Sequence, residues 1–217
     1  MDTASVLAVC RVHQLLKDPG GVGVTAIDKR AVDGPVRVHK LGLHGDIQAN
    51  RIYHGGEDQA LYAYSQGDAD YWAGELQREL PPGIFGENLR LAGIDVSNAI
   101  IGERWKIGLD VEVEVTSPRT PCATFQRRMG EPHWAERFAA AGRVGAYLRV
   151  VRTGSIEAGN YLHRIFVPTH GVSIAKWFSD PSVADMESLR DADADGQIRL
   201  QPEYHDAFEK MQRRRGV

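Results

Sequence analysis

The sequence predicts a mainly β fold, a barrel or sandwich with short inserted helices and a small helical extension at its C-terminal end. Short apolar runs such as Val6-Leu7-Ala8-Val9 and Val36-Arg37-Val38 are separated by turn-rich segments, Asp18-Pro19-Gly20-Gly21 and Val32-Asp33-Gly34-Pro35 among them. The 23 glycines give many short strands their turns, and no strand-helix-strand unit repeats, which disfavours a doubly wound sheet. After Pro168 the pattern changes to amphipathic helical segments with an acidic connector, Asp191 to Gly196. These observations divide the chain into a β body over 1–168 and a helical extension over 169–217.

Within the body, Gln59 to Tyr64 alternates as a strand does. Ser65 then stands as a helix N-cap with Asp68 at the third helical position, and Tyr71, Trp72, Leu76 and Leu80 follow at helical intervals up to Pro81-Pro82-Gly83. IFGENLRLAGI and IIGERWKIG read as glycine-bounded strands. VEVEVTSP alternates valine and glutamate, which predicts Val111, Val113 and Val115 facing inward and a wet glutamate face. Pro132 to Gly142 is a short helix closed by glycine, and Val144 to Val151 a strand. SIAKWF, DPSVADMESLRDADADG and PEYHDAFEKMQRRR supply two or three helices of the extension.

With 217 residues and 42% hydrophobic content the chain buries a substantial core and is not disordered. Its 26 basic and 29 acidic residues are spread along the chain, leaving no electrostatic footprint for nucleic acid, and the run Arg213-Arg214-Arg215 reads as a solvated helix end. The start lacks the basic region and long apolar core of a leader, and no segment has the apolar length of a membrane span. A cytoplasmic location is expected. Cys10 and Cys122 allow at most one disulfide, and too few cysteines are present for a multi-cysteine zinc site or a four-cysteine iron-sulfur cluster.

The stretch TSPRTPCATF concentrates the chemistry. With Thr120 as N-cap and Pro121 at the first helical position, Cys122 falls in the first turn, where the helix terminus and Arg119, Arg127 and Arg128 favour a thiolate able to ligate a metal or attack an electrophile. VEVEV and the two prolines make the approach stiff. The local pattern leaves a small buried thiol equally open for Cys122. Cys10, in an apolar run without basic neighbours, reads as structural.

Two other clusters could converge on this place. His44, Asp46, His54 and Asp58 lie amid glycine turns and could ligate a metal, although hydrogen-bonded loop histidines fit equally simple physics. In FGENL, Gly86 permits close backbone approach while Glu87 and Asn88 offer an acid and an amide to a heterocycle, or serve only a turn.

HKLGLHGDIQANRIYHGGEDQALYAY, GIFGENL, SPRTPC and GRVGAYLRV, in this order, resemble the MOSC family, named for the C-terminal domain of molybdenum cofactor sulfurase, and most closely its stand-alone YiiM-like branch. The resemblance runs over about residues 5–165; the tail and the first thirty residues match more loosely. It implies a MOSC-type β-barrel, the molybdenum cofactor (molybdopterin) as ligand, and Cys122 as the molybdenum ligand. It also implies Ser117, Arg119, His44, Phe85, Glu87, Asn88 and, more weakly, Arg143 as cofactor contacts, with His44 or Asp46 supplying protons. The activity implied is two-electron reduction of small N-hydroxylated compounds with N–O cleavage, using electrons from a separate donor protein. Two other classes remain open on the residues: a cofactor or sulfur carrier with a persulfide on Cys122, and a thiol hydrolase pairing Cys122 with His44 or His133, which lacks a local signature of its own. Oligomeric state is not legible.

Overall fold

The computed structural model describes residues 3–20, 23–47 and 55–214. Among these the chain runs β1 (Ser5–Val12), β2 (Leu16–Lys17), β3 (Val24–Thr25), β4 (Lys29–Ala31), β5 (Val36–His39), β6 (Gly42–Leu43), a 3-10 turn (Glu57–Gln59), β7 (Leu61–Ser65) and α1 (Gln66–Leu76). It continues through β8 (Leu89–Ala92), β9 (Arg104–Ile107), β10 (Val111–Pro118), α2 (Ala123–Met129), α3 (Trp134–Ala141), β11 (Ala146–Arg152), β12 (Gly154–Ile156) and β13 (Leu162–Phe166). The tail is α4 (Ile174–Ser179), α5 (Val183–Ala194) and α6 (Pro202–Arg214). Strand takes 30% and helix 28% of the chain, so the expected mainly β class is corrected to a mixed, sheet-dominated fold.

The central sheet has eight strands in the order β13-β9-β10-β11-β7-β8-β1-β4, flanked by the three-stranded β12-β5-β6 and the β2-β3 hairpin. Among the described residues the expected closed barrel is not found. β13 and β1 touch at one isolated bridge, Ser5 to Tyr161, where the Val6 N–H donates to the Asn160 carbonyl at 2.9 Å. The entry to terminal strand β13 thus meets the start of β1, the strand next to the other end, at a corner, where the Gly159 and Leu162 N–H groups also donate to the Val6 and Ala4 carbonyls, without a ladder along the two strands. One junction is parallel: β7 leads through α1 into β8 beside it, a single strand-helix-strand crossover within an otherwise antiparallel sheet.

Ser65 caps α1 as its sequence predicts, its hydroxyl accepting from the Asp68 N–H at 3.1 Å. The helix stops sooner than the prolines suggest. Gln77 takes a left-handed backbone (φ 49°) and its N–H turns back to Ala73 and Gly74, so Leu80 is buried from outside the helix. In β10 the three valines are fully inward. The wet glutamate face is corrected: Glu114 is buried, paired with Arg149 and with Arg104 at 2.9 Å, and only Glu112 is half exposed.

Helices α1 to α3 cover a dense aromatic cluster. Tyr64 lies 4.4 Å from Phe85, Trp72 4.6 Å from Trp134 and Phe125 4.9 Å from Phe138, centroid to centroid. The tail helices join the same buried core through Leu189, Ile198, Leu200 and Tyr204. They are also clasped to the sheet: the Tyr204 hydroxyl donates to the Thr116 carbonyl at 2.7 Å, Arg149 donates to the Arg199 carbonyl, and Arg199 reaches Asp58. Among the described residues no helix is long and apolar enough to cross a membrane.

Candidate functional site

Strand β10 ends at Pro118 and delivers Ser117, Arg119 and Cys122 to one end of the sheet. Cys122 is not inside the first helical turn, as the sequence suggests. It is itself the N-cap of α2, in an extended conformation (φ −126°, ψ 171°), so helical geometry begins at Ala123 and the expected Thr120 cap is corrected. Two prolines hold residues 118 to 121 out of helix, which shifts the start. The sulfur is half-buried against the core, and no disulfide joins it to Cys10.

Arg119 is the unusual group. It is 7% exposed, and its guanidinium lies 4.8 Å from the centroid of Tyr62 and 4.4 Å from that of Phe125. It forms no ion pair among the described residues, and its buried Nε has no hydrogen-bond partner. Burial alone weakens such a cation, but Tyr147, Tyr62 and Cys122 outweigh it and leave the guanidinium firmly protonated. Gly86 (φ 76°) makes room for it: a Cβ there would stand 3.4 Å from an Arg119 terminal nitrogen and 3.1 Å from Ile27. The buried Ser117 hydroxyl oxygen also lacks a partner. A buried cation and a buried hydroxyl, two residues apart and each with an unsatisfied atom, are costly unless a ligand completes them.

Behind this edge is a buried polar network. Asp46 accepts from the Val12 N–H and the Asn88 amide, both at 2.8 Å, and from the Lys29 ammonium at 2.5 Å. Burial lowers the pKa of Lys29, opposed by the Asp46 charge. Asn88 fixes three elements at once, taking the Tyr62 N–H and donating to the Cys10 carbonyl as well as to Asp46. Glu87 is fully buried; it accepts from the Gly83 and Phe85 N–H groups and pairs with fully buried Arg90.

The structure thus brings Ser117, Arg119 and Cys122 together and gives the other expected contacts different surroundings. Phe85 and Glu87 have no exposed surface: Glu87 is paired with Arg90, and Phe85 packs against Tyr64 and Phe125, the ring beside Arg119. Asn88 and Asp46 are spent on internal hydrogen bonds. Arg143 pairs with Asp68 at 2.6 Å and lies over the Tyr71 ring. His44 is exposed, its ring 5.8 Å from that of His39. Asp58 is paired with Arg149 and Arg199, and His54 lies outside the described residues. Among those residues no group of three His, Cys, Asp or Glu could hold a metal ion, so that expected cluster is not assembled there. Sequence reasoning missed Lys29, Tyr62 and Tyr147, which come from strands remote in sequence. For Tyr62 the sequence signal is the paired tyrosines of β7; Lys29 in β4 and the single aromatic of β11 carry none of that kind.

The two thiols differ sharply. Burial, followed by the Glu87 charge, pushes Cys10 up to about 12, so it stays a thiol wherever the protein is folded. Iodoacetamide at a pH of about 8.5, where an ordinary cysteine is half ionised, is expected to add one group to the native chain, at Cys122; peptide mapping that finds Cys10 labelled before unfolding contradicts this.

A model of the MOSC domain matches residues 50–163. An uncharacterized protein of Bacillus subtilis, YflK, is 30% identical over 161 residues, covering 74% of this chain and 72% of the relative. A protein of Gibberella moniliformis named reductase is 35% identical over 169 residues; the match covers 74% of this chain but only 30% of that protein. The crystal structure of YiiM from Geobacillus stearothermophilus superposes with a TM-score of 0.76 at 25% identity, covering 95% of this chain and 98% of the other.

Proposed function

The chain belongs to the MOSC domain family, and from that premise we propose that it binds the molybdenum cofactor through Cys122 and reduces small N-hydroxylated compounds. The observation that carries this reading is Arg119, a desolvated cation without a counter-charge, beside an unsatisfied Ser117 hydroxyl and within three residues of a half-buried thiol. Those three side chains fit what an anionic pterin with a dithiolene-held metal requires: soft sulfur for the metal, and a cation and a hydroxyl for an oxyanion.

When bound, the cofactor supplies the electron pair that cleaves an N–O bond. A hydroxylamine taking up two electrons and two protons gives the amine and water, so the reaction requires proton delivery, which the chain must provide. Asp46 remains the expected group, now coupled to Lys29: the ammonium holds the proton that the pair would pass on, and its slight exposure lets solvent restore it, whereas His44 stands in solvent. Tyr62 and Phe125 hold the Arg119 fork rigid, and the floor of Phe85 and Glu87 keeps water from behind it. Electrons come from a separate donor protein, since two cysteines cannot hold a four-cysteine cluster. The relative named reductase supports the class of reaction.

Molybdenum and pterin analysis tests this on protein made in a cofactor-producing host. Cys122→Ser should lose at least about tenfold in molybdenum content, since even outer-shell changes cost roughly 10–100-fold in affinity; equal loading would remove the ligand assignment. Loaded protein that turns over no hydroxylamino base with reduced viologen would favour the carrier reading.

A further inference from the structure

We infer that the Tyr147 hydroxyl is a third donor of the Ser117–Arg119 subsite, and that the three together form a seat for a phosphate dianion. The inference rests on the cofactor reading only for the source of that phosphate.

The sheet register places Tyr147 there. Past a bulge at Thr116, Ser117 and Tyr147 are partners across β10 and β11, which brings the two side chains out as cross-strand neighbours. The Thr116 hydroxyl supports this register, its single proton lying between the Asp58 carbonyl at 2.6 Å and the Tyr147 carbonyl at 2.9 Å. The Tyr147 ring then packs 5.3 Å from Tyr62, the ring that forms one wall of the Arg119 slot. The three groups therefore come from one strand pair and its exit loop.

The donor inventory decides the ligand. Arginine offers only N–H groups, and serine and tyrosine each offer an O–H. No carboxylate of the described residues pairs with Arg119, and its Nε and the Ser117 oxygen are both buried and unsatisfied. A cationic or neutral ligand would leave Arg119 without a counter-charge, whereas a tetrahedral dianion accepts from several donors at once. Tyr147 is also a dependable donor, because burial above all raises its phenol pKa, against the pull of Arg119. The hydroxyl keeps its proton throughout the neutral range.

Inorganic phosphate is the probe, titrated calorimetrically into cofactor-free protein. The native chain should bind it, and Tyr147→Phe, which removes one oxygen and keeps the ring, should weaken binding roughly tenfold or more, the worth of a hydrogen bond to a charged group. The unfolding temperature without phosphate should be unchanged, and it should rise less on adding phosphate than in the native chain. Ser117→Ala should behave alike, and the double variant should lose less than the product of the two, because both donors serve one anion. Native protein that ignores phosphate, or Tyr147→Phe that binds it as tightly as native, overturns the assignment. Molybdenum analysis of loaded protein separates this from the cofactor reading: normal molybdenum with an indifferent Tyr147→Phe sinks the subsite alone, whereas a phosphate response without molybdenum sinks the cofactor alone.

Discussion

Arg119→Met should make the cofactor-free protein more stable and the cofactor-binding protein worse. Methionine follows the arginine stem through the slot between Tyr62 and Phe125 but brings no charge into it. The terms oppose one another. Two cation–ring contacts are lost, each worth about 0.5–2 kcal/mol, while several kcal/mol of desolvation penalty on an unpaired ion disappear. Desolvation wins near neutral pH because Tyr62 and Tyr147, whose charges favour the cation only once they ionise, keep their protons there and the Glu87 carboxylate is paired with Arg90, leaving a gain of about 1–2 kcal/mol and an unfolding temperature higher by roughly 2–8 °C for a chain of this size. Binding moves the other way: removing one member of a buried charge pair costs about 2–5 kcal/mol, at least a thirtyfold loss of affinity for phosphate or cofactor. Calorimetric melting of the cofactor-free variant decides the matter; a lower melting temperature would mean that Arg119 is a structural cation already satisfied by its aromatic neighbours.

Glu87→Ala should be the most destabilising single change near the site. It leaves the fully buried Arg90 guanidinium without its carboxylate and orphans the Gly83 and Phe85 N–H groups. Breaking a buried pair on one side costs roughly 3–5 kcal/mol, a large share of a total stability of about 5–15 kcal/mol. The unfolding temperature should fall by roughly 6–20 °C. Adding Arg90→Met should restore much of the loss, since the stranded charge goes with it. A single variant that melts within a degree or two of native would show that water reaches Arg90 and that the floor beneath Arg119 is not closed.

Much of the architecture can be read from local pattern. Ser65 with Asp68 announces α1, and the valines of β10 and the closing Gly142 announce their elements, because each depends on neighbours a few residues away. What escapes reading depends on distant partners. Glu114 looks like a wet position until Arg149 arrives from β11. Gln77 ends α1 without glycine, and nothing local marks the failure of the sheet to close. The site divides in the same way. Ser117, Arg119 and Cys122 are legible because one loop carries them, and Phe85 and Glu87 are legible as residues but their full burial is not, since it depends on Arg90 and on rings from other elements. Tyr147 and Lys29 reach the site by strand pairing and side-chain packing, 30 and 90 residues from Ser117 and Arg119 respectively in the chain order, and no spacing rule finds such neighbours.

The clasp of Tyr204 on Thr116 orders events during synthesis. That hydrogen bond spans 88 residues, and Arg199 closes on Asp58 across 141, so the strand that presents Ser117 lacks both fastenings until the tail has left the ribosome. Closing such long loops costs entropy before the contacts repay it. A nascent chain stalled after β13 would therefore present the cysteine loop on a strand not yet fastened.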